Sequence, residues 1–188
     1  QAAQERGFPV TLSLGAPRHR PDTDGYTTRG NVDVSVAVTD VPHAEEYVSD
    51  LVTALDSRRG VLLSSSYEFP GRYATWTIGF SDPPLELTGA GRNFRVRALN
   101  ARYGGGGVLA EPFLKEEERS RQPSLFSVVR AAVELFYYNG DPQLGLYGAF
   151  GYDLTFQFDT IPLKHERDAS QRDLLLYLPD RILVVDQV

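Results

Sequence analysis

The chain has 188 residues, 41% hydrophobic and 23% charged, enough to bury about 70% of its unfolded surface around one core. With 19 Lys plus Arg against 25 Asp plus Glu, its formal charge of -6 excludes broad attraction to nucleic acid or anionic lipid. The absence of cysteine excludes disulfides, thiolate metal sites and cysteine nucleophiles, and His19, His43 and His165 lack metal-pair spacing, so no metal site is expected. No window approaches the roughly 18 apolar residues of a membrane span, and the opening QAAQERGFPV has no basic region followed by an apolar core. Neither a membrane partner nor a targeting segment is therefore expected.

Residues 1–25, with Pro9, Pro17 and Pro21, read as an extended arm, and 26–188 as one scaffold domain. VDVSVAV alternates Val32, Val34, Val36 and Val38, the two-residue period of a half-buried strand. AEEYVSDLVTALDSR then puts Tyr47, Leu51 and Leu55 on one helical stripe, with Glu45 and Glu46 in the first turn, Arg58 and Arg59 near the end, and Gly60 as the stop. GVLLSSS, YATWTIGF and NFRVRAL read as three strands, divided by EFPGR and DPPLELTGAG. With the first strand they predict an antiparallel or mixed sheet covered on one face by the helix.

The run Gly104 to Gly107 supplies no side chain for packing and reads as a linker; it lacks the GKS or GKT ending of a phosphate loop. Glu116 to Glu118 read as a solvated run. SLFSVVRAAVELFYY predicts a second helix, with Leu125, Val129, Val133 and Phe136 on one face, Ala132 allowing close approach, and Asn139-Gly140 as the stop. LGLYGAFGYDLTFQF reads as one long or broken strand, and DLLLYLP with RILVVDQV as a final hairpin around Pro179-Asp180. The predicted fold class is α/β (α+β), with antiparallel or mixed sheets packed as a sandwich and helices outside.

Catalytic constellations are weak. Ser64, Ser65 or Ser66 with His43 or His165 and Asp153 would make a hydrolase set, but no G-x-S-x-G elbow surrounds the serines. Asp153 and Asp159 could serve a glycosidase only at a separation that sequence does not fix. No catalytic residue is assigned. The polar break LLSSSYEFPGRYATW carries more information. Ser64 and Ser65 offer hydroxyls at a strand end, Arg72 a fork for a carboxylate, and Tyr73 or Trp76 an aromatic wall. Those groups suit a small aromatic ligand bearing both charges; packing of Tyr73 and Trp76 beside a surface Arg72 is the alternative.

GVLLSSSYEFPGRYATW with SDPPLEL, then EEERSRQPSLFSVVRA, then LGLYGAFGYDLTFQFDTIPLKHERDASQRDLLLYLPDRILVVD resembles the amino-terminal part of anthranilate synthase component I. The resemblance is greatest to bacterial enzymes in which this component is fused to its glutamine amidotransferase, and runs from about Tyr26 onward; aminodeoxyisochorismate synthase shares the architecture. It implies a cytoplasmic scaffold that encloses the feedback inhibitor L-tryptophan between sheets. A later catalytic domain, absent from this chain, would use magnesium to convert chorismate with ammonia or glutamine to anthranilate and pyruvate. The family's Leu-Leu-Glu-Ser motif falls on Leu62, Leu63, Ser64 and Ser65. Ser65 keeps the serine expected at the ligand's polar end, Ser64 replaces the glutamate that holds its ammonium, and Glu68 can compensate if the loop folds back. A family lysine falls near Trp76. Arg72, Tyr73 and Trp76 are local candidates, while Tyr152 and Asp153 are expected to orient packing or the interface with the later domain.

The fused enzymes carry a longer segment where this chain has its four glycines. Together with the absence of methionine, position 1 included, and the end directly after an apolar strand, this predicts an engineered regulatory-domain fragment without turnover of its own. A natural divergent fragment is the alternative origin, and a structural half-domain of anthranilate or aminodeoxyisochorismate synthase with no autonomous ligand binding is the alternative function. Expected partners are L-tryptophan, the catalytic domain and the amidotransferase domain; no cofactor is expected in the chain itself.

Overall fold

A computed structural model describes residues 23–64, 76–91, 93–99, 124–158, 162, 164–168 and 170–186. The arm up to residue 22, the glycine run 104–107 and the acidic run 116–118 lie outside the described residues. The architecture is mixed α/β, with antiparallel sheets and helices.

The valine alternation produces a shorter strand than expected. Val32, Val34 and Val36 are half-buried, but only Asp33–Ser35 (β2) joins a ladder, antiparallel to Gly25–Thr27 (β1), and Val38 is exposed. The pair forms a two-stranded sheet of its own and does not enter the main sheets. The first helix, α1, spans Ala44–Leu55 and buries Leu51, while Tyr47, assigned to the same stripe, is exposed. Arg58 and Arg59 lie beyond its end and pair with Asp82 and Glu86 instead. Gly60 does not stop the helix. It opens strand β3 (Gly60–Ser64), where a Cβ would collide with the Phe80 carbonyl and with Leu55 at 2.6 Å. Glycine is needed there because backbone and helix approach too closely for any side chain.

β3 pairs with β4 (Trp76–Ser81), and β4 with β9 (Leu183–Asp186), giving a three-stranded sheet. The segment expected to divide strands is itself β5 (Leu85–Ala90), an inner strand of a four-stranded sheet ordered β6 (Asn93–Ala98), β5, β8 (Leu174–Leu178), β7 (Tyr147–Phe150). β8 and β9 are not a hairpin: β8 pairs with β5 and β7, whereas β9 crosses to β4. The expected long strand ends at Phe150 and continues as a 3-10 helix, Tyr152–Gln157.

The second helix, α2 (Leu125–Leu135), packs on the four-stranded sheet. Its buried stripe is Leu125, Val128 and Ala132, rotated from the expected one, which leaves Val133 exposed. With Leu87, Val96, Leu154, Leu174 and Leu176 these residues form the core. The β1–β2 hairpin fastens the helix end: Thr28 Oγ1 donates to the Leu135 carbonyl at 2.8 Å and Gly30 N–H to the same oxygen at 3.1 Å. Carbonyls that a helix C-terminus leaves without partners are satisfied this way.

Candidate functional site

The site is best built from the alternation of β4. Thr77, Gly79 and Ser81 face α1, since a Cβ on Gly79 would meet Leu51 of α1 and Leu62 at 2.9 Å. Trp76, Ile78 and Phe80 point to the other side, where the Phe80 ring stands edge-on to Tyr147 at 5.8 Å and Tyr177 at 6.2 Å. The Phe80 face therefore looks onto the four-stranded sheet. Ladder partners share a face, so Leu63 joins Ile78, Val184 joins Ile78 from the other neighbour, and Asp186 joins Trp76.

On the facing sheet, Leu87, Val96 and Leu176 belong to the α2 core. The residues between them turn away from it. Glu86, Arg97, Tyr177 and Tyr147 form one cross-strand row, and Thr88, Arg95, Leu175 and Ala149 the next. Both crossings between the sheets, at residues 82–84 and 179–182, leave the strand ends nearest Phe80 and the Glu86 row. At that end Phe80 is 3% and Tyr177 5% exposed; Leu63 is 46% exposed. Among the described residues the facing surfaces are buried at the crossings and more exposed along the strands away from them.

A buried charge cluster sits at the closed end. Glu86 is 1% exposed, yet Arg59 Nε lies 3.2 Å and Arg97 Nη1 3.7 Å from its carboxylate oxygens. Arg59 precedes β3 and Glu86 lies in β5, so the pair ties one sheet to the other. Burial, and then the Glu86 charge, raise the Tyr177 hydroxyl above the usual tyrosine range. Both Glu86 oxygens are buried without a hydrogen bond, and the two arginines balance their charge.

Two of the sequence candidates can be placed, and the ladder separates them. Ser64 stands on the α1 face, its hydroxyl 3.0 Å from that of Thr77, whereas Trp76 stands half-buried on the face toward the other sheet. Ser65, Glu68, Arg72 and Tyr73 lie outside the described residues. Asp153 is clasped by Arg167 Nε at 3.2 Å and Gln171 Nε2 at 2.8 Å, and Tyr152 beside it is 83% exposed. Arg167 also bonds Asp173, which holds its guanidinium above the ordinary arginine range, and Asp173 accepts the Gly91 N–H at 2.5 Å. This clasp anchors the segment before β8 to the β5–β6 turn. Asp186 was not singled out by sequence, although alternation through Leu183–Asp186 puts it on the face of Val184.

A separate concavity of about 350 Å³ lies at the end of α2, lined by Phe136, Tyr137, Tyr138, Asp141, Pro142 and Leu144 among others. Its carboxylate is occupied. Asp141 accepts from the Tyr26 hydroxyl at 2.6 Å and from the N–H groups of Gln143 at 2.9 Å and Leu144 at 3.2 Å. Burial and then this hydrogen bond raise Tyr26 well above the usual tyrosine range, and burial followed by the Asp141 charge pushes Tyr147 up to about 12. Tyr26 stacks on Tyr138 with centroids 4.0 Å apart, which makes this a clasp for the β1–β2 hairpin.

Among the described residues no group of three His, Cys, Asp or Glu side chains could hold a metal ion, and no helix is long and apolar enough to cross a membrane. No family model matches the chain. An anthranilate synthase of Azospirillum brasilense is 44% identical over 192 residues, an alignment covering 87% of this chain. The chain is homologous to the anthranilate synthase family. It spans 26% of the length of that anthranilate synthase.

Proposed function

We propose that this chain is the L-tryptophan-sensing, feedback-regulatory portion of an anthranilate synthase, whose complete form converts chorismate with ammonia or glutamine to anthranilate and pyruvate. The observation that carries this reading is the 44% identity to an anthranilate synthase across 87% of the chain. The open face between the sheets agrees with it: Trp76, Leu63, Ile78 and Val184 offer an apolar wall, and Ser65 follows directly on β3. In this reading the indole rests on that wall while Ser65, Glu68, Arg72 and Tyr73, which lie in sequence between β3 and β4, supply polar and aromatic contacts. Occupancy would favour the less active arrangement of the complete enzyme by binding its two arrangements unequally. The described residues do not fit a magnesium site, so no chemical step is assigned to this chain.

Calorimetric titration of L-tryptophan into the 188-residue chain tests the proposal, with D-tryptophan, L-phenylalanine and chorismate as controls. Selective, saturable binding weakened by Ser65→Ala is expected. A folded sample that binds none of them would overturn the sensor reading in favour of a structural half-domain. One feature favours that second reading: Phe150, Tyr152 and Phe158 are exposed by 51%, 83% and 52% on and after β7, an outer strand of the four-stranded sheet among the described residues. Apolar surface of this kind suits contact with more polypeptide.

A further inference from the structure

We propose that the concavity at the end of α2 binds a small organic cation, an ammonium group carried on a one-ring apolar body, at a site separate from the proposed tryptophan site between the sheets. Phe136 and Tyr137 close α2, Leu144 and Leu146 precede β7, and Leu178 ends β8; together they make the walls mostly apolar. Asp141 is the one charged residue of the lining among the described residues. The volume of about 350 Å³ lies at the small end of ligand pockets, which suits a single ring with a short arm and is too little for a nucleotide.

The hydrogen bonds set the sign of the ligand. Asp141 accepts from the Tyr26 hydroxyl through Oδ2 and from the Gln143 and Leu144 N–H groups through Oδ1. All three donors are neutral, and an ionised carboxylate has about four acceptor positions, so its charge stays unbalanced and Oδ2 keeps room for another donor. Among the described residues no Lys, Arg or His pairs with Asp141. Its field reaches the hydroxyls of Tyr26 and Tyr147, raising both beyond what burial does. The C-terminal end of α2 adds the negative end of a helix dipole. A cation already collects beside it: the Arg29 guanidinium stands 4.4 Å over the Tyr137 ring and pairs with Glu134 at 2.7 Å. An ammonium entering the concavity meets the same combination of aromatic surface and carboxylate, with Asp141 in the part that Glu134 plays for Arg29. A neutral or anionic analogue of the same shape gains the apolar contact without the charge-assisted hydrogen bond.

Backbone amide NMR shifts of the 188-residue chain, titrated separately with phenethylammonium, 2-phenylethanol and 3-phenylpropionate, test this. Phenethylammonium is expected to shift residues 136–146 and to bind about tenfold more tightly than the alcohol, with the propionate weakest. Asp141→Asn is expected to bring phenethylammonium down to the level of the alcohol while the alcohol stays within about twofold. Equal wild-type affinity for ammonium and alcohol would overturn the proposal, as would shifts confined to 76–81 and 183–186 or no binding of phenethylammonium. Unchanged ammonium affinity in Asp141→Asn would overturn it too. If the variant loses all three probes, the wild-type order decides alone: preference for the ammonium supports the site and its absence refutes it. None of these outcomes depends on whether L-tryptophan binds between the sheets.

Discussion

The two faces of the four-stranded sheet obey different rules. Toward α2, Leu87, Val96, Leu174 and Leu176 meet Leu125, Val128 and Ala132, all nearly inaccessible and all apolar. Toward the three-stranded sheet, the alternate residues of the same strands include Glu86, Thr88, Arg95 and Arg97, and among the described residues the surface is closed near Phe80, Tyr147 and Tyr177. One face therefore carries the folding energy. The other ties the two sheets together through the Arg59–Glu86–Arg97 cluster and leaves part of its surface exposed.

If this division holds, the largest effect comes from the α2 face. Leu87→Ala, at 0% exposure, should cost about 3 kcal/mol in urea unfolding, whereas Thr88→Ala on the opposite face should cost under about 1 kcal/mol. Equal costs would erase the distinction. Next comes the charge cluster: replacing Arg59 and Arg97 together by Met leaves Glu86 buried without a counter-charge. The expected loss is about 2 kcal/mol, below the usual cost of breaking a buried pair because both arginines are about half exposed. Adding Glu86→Met should restore most of it, a reversal that a purely steric effect would not show.

The hairpin clasp ranks third. Tyr26→Phe should cost about 1 kcal/mol, because Asp141 keeps its two backbone donors. Alkaline titration sharpens the point. Tyr147 has its folded pKa raised from 10.0 to about 12, so the neutral ring contributes stability that is fully present below pH 10 and lost as pH rises toward 12. Tyr147→Phe should flatten the decline in that window, followed by denaturant midpoints at each pH. The smallest effect is Ser64→Ala, under about 0.5 kcal/mol, because the Ser64 hydroxyl at 3.0 Å from Thr77 is exposed and water can replace it.

What sequence made legible follows the same division. α1 and α2 were visible because each repeats an apolar stripe at helical period, but in α2 the spacing 125, 129, 133 fits helical period as well as 125, 128, 132, and it is the second stripe that is buried. Ala132, expected to allow close approach, is indeed buried, since close helix–sheet packing rewards little volume. β5 was hidden because a buried Glu86 and Gly89 interrupt its apolar pattern and Pro83-Pro84 precede it; only the long-range neighbours Arg59 and Arg97 make a carboxylate tolerable there. β8 and β9 read as a hairpin because local alternation says nothing about which sheet each strand joins. For the site, Trp76 was found by residue type. Its separation from Ser64 and its pairing with Asp186 depend on register, which no local pattern specifies.

If L-tryptophan binds between the sheets, amide hydrogen exchange of the chain with and without saturating L-tryptophan should show it. Slower exchange is expected at residues 76–81 and 183–186, with little change in α2 at 125–135. Unchanged exchange throughout, or protection confined to 136–146 at the end of α2, would contradict it.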